Sequence, residues 1–228
     1  MSNAKKELEE FAYIVSHDLN APLRHIRSFS NLLIKSMGDK VSDDEREYVR
    51  FIENGVIKLE DMLAALLHYS RVNTKTEAFT ALACEDVLNT VIAGLDADIK
   101  SSGATITLGH LPPAINGDKT QIQMLFHHLI DNALKFRSAD TPPVIDISAV
   151  EKDGAWLFSI TDNGIGIPVE QHENVFKIFK RLNPDNGLSG IGAGLTIAKA
   201  IAERHNGQIR IDPDYTDGCR VCVDLPCV

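Results

Sequence analysis

Residues 13 to 24, YIVSHDLNAPLR, place a histidine where it could act as a nucleophile. Asp18 follows His17 directly and can orient the imidazole or accept its Nδ1 proton, which would leave Nε2 with a reactive lone pair. Pro22 lacks the N–H that closes a helical turn, so it can bend a helix just beyond this pair. Arg24 could steer an anionic partner. A single exposed histidine is more often an ordinary surface residue, so the interpretation of His17 depends on the rest of the chain.

The segment HHLIDNALKF, residues 127 to 136, combines an amide and a cation on one face of a predicted helix. Asn132 and Lys135 are three residues apart and share that face with His128. An amide oxygen is a suitable ligand for a Mg²⁺ ion that bridges phosphates, and a lysine adds positive charge to the same phosphates. For this segment alone, a solvated polar face is the preferred interpretation.

The segment DNGIGIP, residues 162 to 168, follows a predicted strand with an aspartate and two glycines. Gly164 and Gly166 would let the backbone approach a flat ligand closely. A buried Asp162 carboxylate could accept a hydrogen bond from an exocyclic amine such as that of adenine. The same pattern also makes an ordinary turn.

A second glycine-rich segment, SGIGAGLTIAKAI at residues 189 to 201, precedes a predicted helix. Backbone N–H groups at a helix N-terminus can bind phosphate, and Gly190, Gly192 and Gly194 would leave them accessible. The dinucleotide pattern GxGxxG does not fit this spacing, and the phosphate-loop pattern GxxxxGK[ST] is absent from the sequence.

Composition excludes several other classes of function. The 228 residues are 44% hydrophobic and 24% charged, which is ordinary for a globular protein. A net charge of −9 argues against nucleic acid as the main partner. The sequence has neither a signal peptide nor an apolar run long enough to cross a bilayer, so we expect no direct membrane contact and a cytoplasmic location. Cys219 and Cys222 form a lone CxxC, for which packing in a terminal strand is favoured over a zinc site.

Two heptad patterns open the chain and predict an antiparallel helical hairpin. Met37-Gly38-Asp39 ends the first helix, and Ser42 looks like a cap for the second. In this frame His17 occupies position f, the farthest from the partner helix. Residues that flank the patterns, including Leu23 and Leu32, leave apolar surface that dimerisation into a four-helix bundle would bury. The patterned positions are Leu8, Ala12, Val15, Leu19, Pro22, Ile26, Phe29 and Leu33, then Val49, Ile52, Val56, Leu59, Leu63 and Leu66.

After a polar stretch at residues 71 to 77, the pattern changes to mixed helices and strands. It predicts an α+β sandwich with one sheet and helices on one face. The predicted helices cover about 84–100, 118–137 and 193–206, and the predicted strands about 104–108, 114–116, 143–150 and 155–161, with a final hairpin over 207–225.

Five motifs in a fixed order resemble the transmitter region of a sensor histidine kinase, especially the phytochrome-like type. SHDLNAPLR resembles the H box, HHLIDNALKF the N box, DNGIGIP the G1 box, VFKIFKRL (with Phe176 and Phe179) the F box, and GIGAGL the G2 box. One such match would mean little, but all five occur in order, and the resemblance covers essentially the whole chain after residue 4.

The resemblance implies two domains. Residues 5–73 would form the dimerisation and histidine-phosphotransfer domain, and 74–77 a linker. Residues 78–228 would form an ATP-binding domain, an α+β two-layer sandwich of the gyrase–Hsp90–histidine kinase type. Residues 1–4 are typical of a tag remnant, and a sensor domain is expected upstream in the parent protein.

The resemblance also implies a role for each matching residue. His17 would attack the γ-phosphate of ATP, with Asp18 as base or orienter. The nucleotide would be held by Asn132 with Mg²⁺, Lys135 and Arg181 on phosphates, Phe136 in the pocket wall, Asp162 on adenine, Gly164 and Gly166 below it, and Gly192, Gly194 and Leu195 near the phosphates. Residues 180–189 would form the lid over ATP.

Two positions and one segment depart from the family pattern. Ala21 stands where kinases that also dephosphorylate their partner commonly have Thr or Asn, so we expect weak phosphatase activity. His128 replaces the first Asn of the N box, and related ATPases have a water-activating glutamate there. The lid, KRLNPDNGLSG, is short and polar, which suggests modest nucleotide affinity.

The sequence therefore predicts an ATP-dependent, dimeric protein-histidine kinase that passes phosphate to an aspartate on the receiver domain of a response regulator. The alternative is a nucleotide-binding dimeric scaffold with weak or no kinase activity. An ATPase of the same fold is a third possibility, against which the missing glutamate and the presence of His17 both count.

Overall fold

The chain divides into two compact units, residues 1–74 and 75–228. The computed structural model describes residues 3–38, 42–72, 74, 77–152, 154–182 and 190–227, and only the backbone of residues 3–11 and 13. Two residues of the predicted linker at 74–77, residues 75 and 76, therefore lie outside the described residues. So does residue 73, the last of the predicted first domain.

The first unit is a hairpin of two long helices, α1 (Asn3–Met37) and α2 (Asp43–Arg71). The predicted cap at Ser42 is confirmed: its hydroxyl accepts from the Glu45 backbone N–H, and the Glu45 carboxylate accepts from the Ser42 N–H. This reciprocal arrangement is a capping box, which satisfies two otherwise unpaired donors at the start of α2. An ion pair between Arg27 and Glu60, at 2.9 Å, joins the two helices.

The apolar positions of the hairpin form two stripes rather than one seam. One stripe packs between the helices and includes Leu23, Val56 and Leu63, all buried. Most of the remaining patterned positions are exposed in the single chain, namely Leu19, Ile26, Phe29 and Leu33 on α1 and Ile52 and Leu59 on α2. The expectation for Leu23 was therefore wrong: it belongs to the hairpin core, because the two helices meet along a line rotated from the predicted seam.

Among its described residues, the second unit has four further α-helices and seven strands. The helices are α3 (Cys84–Gly94), α4 (Asp96–Ser102), α5 (Lys119–Lys135) and α6 (Gly194–Arg204). The strands are β1 (Thr80–Ala83), β2 (Thr105–Leu108), β3 (Ala114–Gly117), β4 (Val144–Lys152), β5 (Ala155–Asp162), β6 (Ile209–Ile211) and β7 (Cys219–Pro226).

These strands make two sheets where the sequence predicted one. A five-stranded sheet has the order β2-β4-β5-β7-β6, with β2 parallel to β4 and the other neighbours antiparallel. A separate ribbon pairs β1 with β3. The sequence missed β1 because only Leu82 of its four residues is buried, which leaves little periodic signal. The single helix predicted over 84–100 is two helices, broken at buried Leu95.

The core of the second unit lies between the five-stranded sheet and helices α5 and α6. Phe126 on α5 and Phe158 on β5 are both fully buried, and their rings meet edge to face with centroids 5.3 Å apart. This contact fixes α5 on the sheet, and α5 carries the N-box residues. In the described part of the chain, none of the helices has the length and apolar character needed to cross a membrane.

We expect Phe158→Ala to lower the free energy of unfolding of the second unit by about 3–5 kcal/mol, because it deletes a buried ring and leaves a cavity. Trp156 is the only tryptophan in the sequence and lies on β5, so its fluorescence in a urea titration reports on this unit. Val150→Ala on the exposed side of β4 is the matched control and should change stability by less than about 1 kcal/mol. Equal losses in both variants would show that the ring contact is unimportant.

Candidate functional site

His17 lies on α1 with its side chain 74% exposed, and Asp18 beside it is 70% exposed. The Nδ1 atom of His17 is 3.0 Å from Oδ1 of Asp18. A proton on Nδ1 would be donated to this carboxylate, which leaves the lone pair on Nε2. The pair is thus accessible and has the tautomer-setting contact that a nucleophilic imidazole needs.

Pro22 lies inside α1, which continues through it to Met37. Since proline has no N–H, the carbonyl of Asp18, four residues earlier, lacks its usual helical donor. One backbone constraint is therefore missing directly at the His17–Asp18 pair. Ala21, in the same turn, is half-buried and offers no polar side-chain atom.

In the second unit, Asp162 ends β5 and its carboxylate bridges two backbone segments. Its Oδ1 accepts hydrogen bonds from the backbone N–H groups of Gly164, at 2.8 Å, and Cys219, at 3.2 Å. Its Oδ2 accepts none from the described residues, so it is the oxygen left for a ligand donor. Burial raises the pKa of Asp162 above its ordinary value, although both N–H donors act in the opposite direction.

The G1 turn after Asp162 is attached to the end of α5. The N–H of Ile165 donates to the carbonyl of Phe136 at 3.0 Å. A Cβ on Gly164 would collide with that same carbonyl oxygen, so only glycine allows this close approach. The side chain of Phe136 is 45% exposed beside the turn, where it could contact a ligand.

The N-box residues of α5 face the start of α6. A Cβ placed on Gly194, the first residue of α6, would lie 3.4 Å from Nδ1 of His128. Asn132, one turn further along α5, is half-buried, whereas Lys135 donates to Asp131 at 2.6 Å. The structure thus brings the N box and the G2 box together, but it pairs Lys135 with a neighbouring carboxylate.

The F box and the G2 box are fastened to each other. The N–H of Phe179 donates to the carbonyl of Gly192 at 2.9 Å, and the hydroxyl of Thr196 donates to the carbonyl of Phe176 at 2.9 Å. Gly192 has φ of +73°, and a Cβ there would clash with the backbone of Lys180.

The side chains next to this junction are Arg181, whose Cγ lies beside Gly192, and Leu195, half-buried in the first turn of α6. Of the predicted lid at 180–189, residues 183–189 lie outside the described residues.

The donor set fits a Mg²⁺ ion that arrives with phosphates. Among the described residues there is no cluster of three His, Cys, Asp or Glu side chains that could hold a metal. Mg²⁺ in phosphoryl-transfer sites usually keeps waters and binds substrate phosphates together with one or two protein oxygens. The amide oxygen of Asn132 can supply such a ligand.

Sequence reasoning missed the contribution of Cys219 to this site. Its backbone N–H, at the start of β7, holds Asp162 in place, and this contact depends on the pairing of β5 with β7. Burial and the nearby Asp162 raise the pKa of the Cys219 thiol to about 12, so the thiol stays protonated. Cys219 and Cys222 are buried in β7, as the sequence predicts. The motif TDGCRVCV contains no signal for the hydrogen bond to Asp162.

Two protein families match this chain. Residues 7–75 match the His Kinase A (phospho-acceptor) domain. Residues 117–228 match the histidine kinase-, DNA gyrase B- and HSP90-like ATPase family.

Curated relatives match nearly the whole chain. Cyanobacterial phytochrome A from Nostoc sp. is 36% identical over 226 residues, which cover 99% of this chain and 29% of that protein. The methanogenesis regulatory histidine kinase FilI from Methanothrix harundinacea is 30% identical, with 96% of this chain and 25% of that protein covered. The chain thus spans less than a third of the length of these relatives.

Solved structures share the fold. Full-length ShkA, in complex with AMPPNP, matches 95% of this chain and 45% of its own length with a TM-score of 0.68 and 22% identity. The histidine kinase AdeS from Acinetobacter baumannii matches 92% of this chain and 97% of its own length with a TM-score of 0.64 and 19% identity. The predicted fold class, a helical hairpin followed by an α+β domain of the ATPase type, is confirmed.

We expect the stability of the wild-type second unit to fall relative to Asp162→Asn as the pH rises. The pKa of Asp162 is raised in the folded state, so its contribution to stability is fully present below the unfolded pKa and is lost as the pH rises through the folded pKa. The variant does not titrate and keeps an oxygen for the N–H groups of Gly164 and Cys219. Urea unfolding at steps between about pH 4 and pH 8 measures the difference.

The matched control is Asp146→Asn, at an exposed position on β4, which should follow the wild type at every pH. The opposite result would be a wild type that becomes more stable than Asp162→Asn as the pH rises. It would show that burial is not the dominant effect on the pKa of Asp162.

Proposed function

We propose, since the chain belongs to the sensor histidine kinases and comprises their transmitter region, that it transfers the γ-phosphate of ATP to His17 and then to an aspartate of a response regulator. The observation that carries this proposal is the exposed His17 whose Nδ1 lies 3.0 Å from the Asp18 carboxylate. The two matching families, a phospho-acceptor domain and an ATPase domain, support the same reaction.

The chemistry follows from the tautomer of His17. With its Nδ1 proton donated to Asp18, Nε2 uses its lone pair to form a bond to the γ-phosphorus while the bond to the leaving oxygen of ADP breaks. Asp18 holds the Nδ1 proton and stabilises the positive charge that develops on the ring. An aspartate of a receiver domain then takes the phosphoryl group from Nε2, which regenerates the neutral imidazole.

We assign nucleotide binding to the junction of the N, G1, F and G2 boxes. Oδ2 of Asp162 accepts from the amino group of adenine, and Gly164 and Gly166 let the ring approach the backbone. The remaining contacts are Phe136 against the nucleotide, Asn132 with Mg²⁺, Lys135 and Arg181 with phosphates, and Gly192, Gly194 and Leu195 at the phosphate end. Mg²⁺ held there would neutralise part of the phosphate charge.

The exposed apolar stripe of the hairpin supports a homodimer. Leu19, Ile26, Phe29 and Leu33 on α1 lie along one face, which a second copy would cover in a four-helix bundle. We also propose that a sensor domain precedes this region in the parent protein, and that the reaction takes place in the cytoplasm, where ATP is available.

A catalytically weak, nucleotide-binding dimeric scaffold is the second candidate function. The ion pair between Lys135 and Asp131 favours it, because a lysine held by a carboxylate contributes less positive charge to a triphosphate. Transfer of phosphate to His17 separates the two candidates directly.

We expect the full chain, incubated with γ-labelled ATP and Mg²⁺, to acquire acid-labile label that His17→Gln abolishes. His25→Gln, at another exposed histidine of α1, is the matched control and should keep the label. Asp162→Asn should reduce labelling by about tenfold or more because it removes an acceptor from the adenine site. Nucleotide binding without label on His17 would establish the scaffold, and label that survives His17→Gln would exclude His17 as the acceptor.

We expect Ala21→Thr to increase dephosphorylation of a phosphorylated regulator by at least about tenfold, because a hydroxyl one turn from His17 can orient a water. Labelling of His17 should stay near the wild-type level. The readout is the loss of label from purified phospho-regulator with each protein. Rapid dephosphorylation by the unmodified chain would show that Ala21 does not limit this activity.

A further inference from the structure

A cluster of five residues holds the segment through which the chain enters the second unit. We call it the entry clasp: Glu77 and Phe79 from the segment before β1, Asp118 before α5, and Arg204 and His205 at the end of α6. None of these residues belongs to the five motifs, and none has a role in the proposed reaction.

The aromatic part of the clasp brings the ring of Phe79 against His205 and Arg204. The ring of Phe79 lies on the imidazole of His205, with centroids 4.5 Å apart and planes within 5° of parallel. The guanidinium carbon of Arg204 is 4.9 Å from the centroid of the same phenyl ring. His205 is fully buried, whereas Phe79 is partly exposed, so the ring of Phe79 covers a polar side chain in the interior.

The polar part of the clasp centres on Asp118. Its Oδ2 accepts from the N–H of Glu77 at 2.8 Å and from Arg204 at 3.4 Å, and its Oδ1 accepts from the N–H of Gln121 at 3.1 Å. Its own N–H donates to Nε2 of His205 at 3.1 Å. One carboxylate therefore caps α5 and binds the entering backbone.

His205 is held in one tautomer by these contacts. Its Nδ1 donates to the carbonyl of Ile201 at 2.8 Å while its Nε2 accepts from Asp118. Burial lowers the pKa of His205, and the positive charge of Arg204 acts in the same direction, against the charge of Asp118. The imidazole is neutral and serves as a fixed link between the two helix ends.

The position of the clasp connects it to the nucleotide site. Asp118 is the N-cap of α5, and His205 is the C-cap of α6. The other parts of the same two helices carry Asn132 on α5 and Gly194 on α6, and the two helices pack together at His128. The clasp therefore contacts one end of each helix, and rigid helices are among the elements that can carry coupling between two sites.

We infer that the entry clasp couples the entering segment to the nucleotide site, so that docking of Glu77 and Phe79 and binding of nucleotide favour each other. This segment follows the helical unit in the sequence and is the first described part of the second unit. The inference goes beyond the proposed function and rests only on its nucleotide-binding part.

Two states of the segment make this coupling possible. In the docked state, Glu77 donates its N–H to Asp118 and accepts from the Thr120 hydroxyl at its carboxylate. The partly exposed ring of Phe79 contacts His205 and Arg204. Segments with so few buried contacts open at low free-energy cost. In the released state, Asp118 would lose the hydrogen bond from the Glu77 N–H, and His205 would be exposed to water. The ends of α5 and α6 would then lose contacts that they share.

The test compares Phe79→Ala, made in the 228-residue chain, with the wild-type chain. We expect its affinity for AMPPNP with Mg²⁺, measured by calorimetry well below the unfolding temperature, to fall about fivefold or more. By reciprocity, AMPPNP should slow amide hydrogen exchange at residues 77–83 in the wild type. Phe79→Tyr keeps a ring that can stack on His205 and should bind with wild-type affinity. His110→Ala, which removes a ring contact with Trp156 elsewhere in the same unit, is the control and should bind normally.

A merely structural role for Phe79 would lower the thermal midpoint without nucleotide but leave both of these readouts unchanged. Affinity of Phe79→Ala within twofold of the wild type overturns the inference, and so does exchange at 77–83 that ignores AMPPNP. If Phe79→Ala does not fold, Phe79→Leu replaces it, and wild-type affinity in that variant also overturns the inference. Wild-type protein that binds no AMPPNP overturns the proposed function itself, which is a different result from normal binding with no coupling.

Discussion

The unsatisfied backbone groups at the two ends of α5 determine how the second unit is built. The first N–H groups and the last C=O groups of a helix have no partners inside it, so other parts of the chain must supply them. At the start of α5, Asp118 accepts from Gln121 and also from the entering backbone at Glu77. At the end, the carbonyl of Phe136 accepts from Ile165 in the G1 turn. One helix therefore fixes both the entrance to the domain and the turn that holds Asp162.

Much of this arrangement could be predicted from the sequence, because motif order and strong periodicity are local signals. Asp118 was predicted to open α5, and Asp162 to end a strand before a turn. The hydrogen bond from Cys219 to Asp162 could not be predicted, since it depends on which strand lies beside β5. The break at Leu95 was missed because an apolar residue inside a helical pattern looks continuous until its burial is known. The stacking of Phe79 on His205 in the entry clasp is likewise a contact between distant parts of the chain.

The helical unit shows the same division between local and non-local information. Heptad spacing predicted two helices and an outward-facing His17, and both are present. Spacing alone did not determine which apolar residues the two helices share, because a rotation of each helix about its axis exchanges one stripe for the other. Leu23 packs in the hairpin and Phe29 faces away from it. The uncovered stripe, which includes Phe29, is a consequence of that rotation.

The uncovered stripe also ties the persistence of the helical unit to the amount of protein. A hairpin of two helices buries little apolar surface by itself, and a second copy that covers residues such as Phe29 and Leu33 would bury much more. In the dimer we propose, folding and association are one equilibrium, so dilution weakens the fold itself. The helix that carries His17 would then be best formed where copies of the chain meet most often, and the local concentration of the chain would act as an input in its own right.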